Sequence, residues 1–371
     1  MIHRSWRKYR LGDLGKIVTG RTPSTSKPYY FGDKYPFITP SDMDGRKKAD
    51  STQRHLSDEG AKLLQRNLIP SGSVAVSCIG WQMGKSIMTC RPSFTNQQLN
   101  TIIPNEKVDA DFLYYALSIR QRELLSLGAA TGVRTPILNK SAFSDLHLLA
   151  PPLEVQRKIA AILSTYDDLI ENNTRRIALL EEMARRLYQE WFVHFRFPGH
   201  KSVRMVDSPL GKMPEGWEIS GLKDQIALDK GLSYQGKFLT DDGIPMVNLK
   251  CILPGGGFRR GGTKPYAGEY KPRHTVKPGD LFFANTDLTQ DGNIIGSPAV
   301  VPPLATPGEI IISHHLYAVR FKEDTQITKY YLYHLMLADR FKSFAKGLAS
   351  GTTVLGLHGD SVLQYQFVKT H

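Results

Sequence analysis

The stretch PPLEVQRKIAAILSTYDDLIENNTRRIALLEEMARRLYQEWFVHF, residues 151–195, decides how the rest of the chain divides. Residues 153–195 contain no Pro or Gly and are rich in Leu, Ile, Ala, Glu and Arg. Pro151 and Pro152 suit a helix N-terminus, and Pro198 with Gly199 ends the run. The pattern predicts one continuous helix, roughly 65 Å long at 1.5 Å per residue. Its apolar seam steps through Ile159, Ile162, Tyr166, Leu169, Ile177, Leu180, Ala184, Leu187 and Trp191, alternating threes and fours. Asn173 lies within the seam, between two consecutive fours that make a stutter. Either Asn173 selects a register by facing a polar group on a partner helix, or it faces solvent where the stutter rotates the seam. Glu171 with Arg175, Glu181 with Arg185 and Glu182 with Arg186 stand at i, i+4 spacing and support the helix by themselves. A seam this long needs a covering surface.

On either side of this rod the chain repeats itself. Trp6, Leu11, Asp13 and Gly20 recur as Trp217, Leu222, Asp224 and Gly231, each 211 positions on. With small drifts, Pro36 matches Pro245, Gly72 matches Gly279 and Leu99 matches Leu316. At an offset of 219, Leu113, Gly128 and Gly132 match Leu332, Gly347 and Gly351. Carried forward at that offset, Pro152 falls on His371, where a second copy of the rod is expected to begin. Within each copy, SVAVSCI and DLFFAN read as buried strands entered through a Gly turn. DADFLYYALSIRQRELLSL reads as a helix with Phe112, Tyr115, Ala116, Ile119 and Leu124 inward, capped by Asp109 or Asp111. Trp6 and Trp217 are expected as core anchors at the domain entries, and Asp13 and Asp224 as braces of a turn. The fold class is therefore α+β: two repeated mixed α/β domains joined by a long coiled-coil-like helix. The expected boundaries are 1–151, 152–197 for the helix, 198–216 for a linker and 217–371.

Composition bounds the function. The 371 residues carry 48 Lys and Arg against 35 Asp and Glu, a net charge of +13, which favours a polyanionic partner. Cys78, Cys90 and Cys251 form no CxxC pair, so a disulfide framework or zinc cluster is not expected. No signal peptide or spanning segment is read, and the expected location is the cytoplasm. There is no Walker A sequence, no [DN]PP[YF] element and no FxGxG loop. EYK, with Glu269 and Lys271, matches half of a nuclease motif without a fixed partner Asp. His314 and His315 align with Gln97 and Gln98, which suggests a shared structural position and not a metal site. Catalysis and bound metal are not expected in this chain.

The central PPLEVQRKIAAIL…DDLIENN…LLEEMARRLYQEWF, followed by DSPLGKMPEGWE and flanked by two domains with similar openings, resembles the specificity (S) subunits of Type I restriction–modification systems. The resemblance covers nearly the whole chain. It implies that each repeat is a target recognition domain reading one half of a bipartite double-stranded DNA site. It implies that two long helices, one after each domain, pair as a ruler. These would dock modification (methyltransferase) subunits and, in the full complex, restriction (motor–nuclease) subunits. S-adenosylmethionine would belong to the methyltransferase, and ATP with Mg to the motor. The second helix would follow His371, so either the chain is truncated or two copies associate through their central helices. Two other readings stand beside this one: the detached recognition half of a fused restriction–methylation enzyme, and a basic scaffold without specific readout.

The DNA-reading candidates are groups of loop residues with bidentate, phosphate-binding or stacking chemistry. In the first copy they are Arg21, Thr22, Ser24, Lys27 and Tyr29, then Gln82 and Lys85, then Arg134 and Thr135. In the second they are Tyr234, Gln235 and Lys237, then Arg259, Arg260 and Lys264, then Thr352 and Thr353. A solvated loop charge is the plainer reading of any one of these, and the loops as groups are the stronger candidates.

Overall fold

The computed structural model describes residues 5–130, 134–304 and 308–370. Gly132 and His371 of the repeat alignment lie outside them. The chain divides into two compact units, Met1–Arg176 and Ile177–His371.

Both units build the same arrangement from the repeated residues. In the first, the main sheet runs in the order Gly15–Thr19, Leu99–Pro104, Val74–Ser77, Ser86–Thr89, Lys48–Ala49. In the second the order is Ile226–Lys230, Leu316–Phe321, Leu281–Ala284, Pro298–Val300. The registers agree: Thr19 lies opposite Asn100 as Lys230 lies opposite Tyr317. A smaller sheet in each contains a parallel pair, Phe37 beside Phe94 and Met246 beside Ile311. The continuous apolar content of the central strands follows from their burial on both faces, with Val74–Ser77 and Leu281–Ala284 buried throughout. Gly72 and Gly279, which open those strands, both sit at positive φ (80° and 94°), as the Gly turns require.

The recurring Gly20 and Gly231 have a steric origin. Their amides donate to Leu99 and Leu316 at 3.1 Å in both units. A Cβ on Gly20 would stand 2.0 Å from the Asn96 carbonyl oxygen, and one on Gly231 2.2 Å from that of Ser313. Only glycine allows two backbones this close.

Some expectations are corrected. The segment after Asp109 forms two helices, Ala110–Ser118 and Gln121–Ala129, and Ile119 at the break is 85% exposed. Asp109 is the cap, its carboxylate accepting from the Phe112 amide at 3.0 Å. Trp6 is no core anchor: it is exposed, because the strand it enters, Arg7–Arg10, is a largely solvent-facing edge. Trp217 is half-buried among Phe192, Phe195 and Phe197, with ring centroids 5.2–5.8 Å away. Asp224 does brace its turn, accepting from the Gly221 amide at 3.2 Å. At Asp13 the backbone carbonyl has that part, taking a bond from Asn105 Nδ2 at 3.0 Å. The segment 198–216 is folded, with a hairpin pairing Met205–Ser208 to Gly211–Pro214.

The long helix runs as an α-helix over Leu153–Tyr188 and continues as a π turn over Gln189–Val193. Phe195, at φ 55°, follows where the sequence pattern still reads as helix. Glu171 pairs with Arg175 and Glu182 with Arg186, but Arg185 pairs with Glu182 and not with Glu181.

Its first half is fastened to the first unit by a polar stripe. Gln156 is buried, accepting from the Asp109 amide at 2.9 Å and donating to the Pro151 carbonyl at 2.9 Å. Ala160 packs into the core beside it. One turn further, buried Lys47 donates to Ser164 Oγ at 2.7 Å and to Tyr115 OH at 3.2 Å, and pairs with Asp111 at 2.5 Å. Tyr115 OH donates to Asp167 at 2.5 Å, and Lys48 pairs with Asp168 at 3.1 Å. Burial and this carboxylate push the Tyr115 phenol well above its usual range. The seam turns away from these contacts: Ile162, Tyr166, Leu169, Ile177, Leu180 and Leu187 are 47–62% exposed, and only Ile159 packs on the first core. Asn173 is exposed with them. In the second unit the last turns of the helix pack through Tyr188, whose ring lies 5.5 Å from Tyr331 and 6.1 Å from His334.

Two outcomes follow for stability. Lys47→Met keeps the aliphatic stem but leaves Asp111 and Ser164 without their cation, so unfolding in urea should show a loss of about 2 kcal/mol, limited by the part-exposure of Asp111. Gly20→Ala and Gly231→Ala should each cost about 2 kcal/mol or more by overpacking. Gly236→Ala, with open space around its Cβ, should leave the melting curve where it is.

Candidate nucleic-acid interface

Antiparallel pairing gathers the candidate loops at one end of each main sheet. In the first unit Thr19 and Ser77 end their strands opposite Asn100 and Leu99, where the third strand begins. In the second unit Lys230 and Ala284 end opposite Tyr317 and Leu316. The loops that leave these strand ends are therefore neighbours within each unit.

In the first unit Arg21 is held by its amide on the Thr95 carbonyl (2.9 Å), with its side chain exposed. Thr22 donates to Gln97 Oε1 at 2.6 Å. Ser24 and Ser26 share a 2.7 Å bond, and Lys27 lies 5.9 Å from the Tyr30 ring centroid. Tyr29 is exposed, and its carbonyl accepts at 2.6 Å from Ser57 Oγ, the cap of the helix Asp58–Leu63. Lys85 donates to Gln82 Oε1 at 3.1 Å. Their loop is tied to the one carrying Arg134 and Thr135 by the Gly80 amide on the Pro136 carbonyl (2.9 Å) and by the Ile79–Ile137 bridge. Arg134 and Thr135 are exposed. Cys78, buried at the base of this loop with its thiol raised to about 11 by burial, is structural.

The second unit repeats the scheme with other side chains. Tyr234 lies 5.9 Å from His314, and Lys264 Nζ stands 6.0 Å from the Tyr234 centroid. Gln235 and Lys237 are exposed, the latter 4.9 Å from the Phe238 centroid. Thr352 and Thr353 are exposed, and the Thr352 carbonyl accepts from Gln290 at 3.1 Å. Asp287 fixes the intervening loop, accepting from the amides of Thr289 (2.9 Å) and Ile294 (2.8 Å). Burial opposes its charge, yet these bonds hold its carboxyl below the usual range.

Arg259 and Arg260, both exposed, follow a separate glycine turn. Three left-handed glycines, Gly255 to Gly257, turn the chain back onto Leu253 and Pro298. That turn sets Arg260 against the Pro303 carbonyl (3.4 Å), on a cavity of about 750 Å³ that Leu180, Tyr333 and His334 also line.

The sequence reading passed over two residues. Trp81 is 69% exposed at the tip of the loop holding Gln82, and Leu288 is 62% exposed at the matching place in the second unit. The signal was available, since the 207-residue offset that pairs Gly72 with Gly279 also pairs Trp81 with Leu288. His314 and His315 occupy the Gln97 and Gln98 positions. Their ring centroids lie 3.9 Å apart, and the Asn285 side chain donates to the His314 carbonyl at 3.0 Å. Among the described residues no group of three or more His, Cys, Asp or Glu is placed to hold a metal ion. Among them, too, no helix is long and apolar enough to cross a membrane.

Known proteins share this arrangement. Residues 3–182 match the family model described as Type I restriction modification DNA specificity domain. The chain is 28% identical over 259 residues to the specificity subunit of the Type I restriction enzyme MjaIX from Methanocaldococcus jannaschii, covering 68% of this chain and 60% of that one. To the HindI specificity subunit from Haemophilus influenzae it is 38% identical over 179 residues, 46% of this chain and 38% of the relative. It thus spans less than two thirds of the length of these curated relatives. The S subunit of a Type I restriction–modification system from M. genitalium has the same fold, with a TM-score of 0.58 at 14% identity, over 100% of this chain and 86% of that one. Residues 3–182 thus match a Type I restriction modification DNA specificity domain, and over a longer span the chain is similar to Type I specificity subunits.

Burial holds the His314 and His315 imidazoles below the usual histidine range, and the nearby Lys230 adds to the effect. A base with a lowered folded-state pKa binds protons more readily when unfolded. The second unit should therefore keep full stability above about pH 6.5 and lose it as pH falls through that value towards the lowered pKa. His314→Gln with His315→Gln, the pair already present in the first unit, should flatten that loss in thermal melts between pH 7.5 and 5 (roughly the histidine titration range).

Proposed function

We propose that this chain is the DNA sequence-recognition subunit of a Type I restriction–modification complex. Each domain reads one half of a bipartite double-stranded DNA site, and the long helix sets the spacing and docks methyltransferase subunits. The observation that carries this reading is the duplicated loop cluster, polar and cationic, at the same strand ends of both main sheets. Arg21, Lys27, Lys85 and Arg134 in one domain, and Lys237 and Lys264 in the other, supply phosphate affinity. Thr22, Gln82, Thr135, Tyr234, Gln235, Thr352 and Thr353 offer groups for base edges.

The exposed seam supports the docking half of the proposal, because an apolar stripe of this length is covered in a working protein. Its cover is a modification subunit, a further helix, or a second copy of the chain. The chain carries out no chemistry: S-adenosylmethionine belongs to the modification subunit, ATP and Mg to the restriction subunit. The complex works in the cytoplasm. Two domains on one spacer gain effective concentration only when the half-sites match their separation, which is how spacing becomes part of the specificity.

Co-expression with the modification subunit of such a system, followed by mapping of methylated adenines on the host genome, tests the reading. The expected result is one bipartite motif with fixed spacing. Exchanging residues 1–150 for those of another family member should change one half of that motif only. Absence of chain-dependent methylation, or a change in both halves, would overturn the reading.

A further inference from the structure

Trp81 and Leu288 are unusual in combination: large apolar side chains, exposed, at repeat-equivalent tips of loops that are otherwise polar. Each loop is closed at its base by the same hydrogen bond, Gly84 N to the Ser77 carbonyl (2.7 Å) and Gly296 N to the Ala284 carbonyl (2.8 Å). Each outgoing limb is paired to the same neighbouring segment, Ile79 with Ile137 in one unit and Thr286 with Gly356 in the other. Each returning limb is pinned in the core, by Met83 in the first unit and Ile295 in the second, both buried. Asp287 adds its carboxylate brace beside Leu288. The tips are thus rigidly presented, while water contact at both costs free energy that burial elsewhere would recover.

From this we infer that Trp81 and Leu288 are specificity-determining wedges, each entering a base step of its own DNA half-site and partly unstacking it. The inference rests on the DNA-reading function proposed above and adds the residues and the mode of contact. Apolar side chains act in this way where a protein kinks a duplex, and the energy of unstacking depends on the step, being lowest at flexible pyrimidine–purine steps. The pairing of Trp with Leu decides between modes. Stacking on an extruded base needs an aromatic face, which Leu288 lacks, whereas a wedge needs only apolar bulk on a rigid support. Neither residue carries charge, so the contact gives sequence preference without phosphate affinity. Gln82 and Lys85 follow Trp81, and Thr289 and Gln290 follow Leu288, so polar side chains stand next to each apolar one.

The test uses the full chain in complex with its modification subunits and a duplex bearing the mapped methylation motif, with 2-aminopurine placed in turn at each step of each half-site. Unstacking brightens this base. The parent complex should brighten one step in each half. W81A should abolish the signal in one half only and L288A in the other. Each should weaken binding about tenfold or more, with the slope of affinity against salt unchanged. W81L should keep both signal and affinity, since leucine serves at the equivalent position. Both side chains are exposed, so unchanged thermal melting will confirm that the variants fold. If the parent complex binds the duplex and no step brightens, or W81A behaves as the parent, the wedge is overturned and the recognition reading stands. If W81F retains function while W81L fails as W81A does, stacking replaces wedging and the inference is again overturned. A parent complex that does not bind the duplex at all overturns the recognition reading itself.

Discussion

The Lys47 ammonium is the interaction on which the first unit and its share of the long helix depend. It sits almost wholly buried, between Asp111 and Tyr115 of one short helix and Ser164 of the long one. A buried cation must be neutralised and hydrogen-bonded, and here the partners come from segments distant in sequence. Gln156 does the equivalent work about two turns earlier, satisfying backbone groups at Asp109 and Pro151. Because the helix is fastened through polar side chains, its apolar side is left uncovered. A helix held by its hydrophobic stripe would have nothing left to offer a partner.

The duplication shows which residues the fold needs and which it leaves free. Gly20 and Gly231 persist because a Cβ has no space. Leu113 and Leu332 persist because both are fully buried. In the loops at the strand ends the pairs diverge: Gln97 and Gln98 become His314 and His315, and Arg134 becomes Thr353. A shared frame with divergent tips is what the proposed reading of two different half-sites requires, since phosphate contacts position a protein and base edges specify it. Trp81 and Leu288 lie in this variable layer but keep apolar character in both units.

Sequence by itself determined the repeat, the two-domain α+β architecture, the rod between the domains and the apolar seam along it. Each of these is written in periodicity or in offset, and periodicity reports burial and local geometry directly. The loops that gather at the strand ends were legible as groups for the same reason, because they interrupt matched strands. Tertiary structure alone decided what depends on contacts between distant segments. The break at Ile119, the exposure of Trp6, the transfer of Arg185 to Glu182 and the turning of Arg260 onto the Pro303 carbonyl all follow from neighbours that spacing does not encode. The same holds for the seam of Ile162 to Leu169. Its pattern said that it must be covered, and only the packing of Lys47, Gln156 and Tyr115 against the other face showed that its own domain does not cover it.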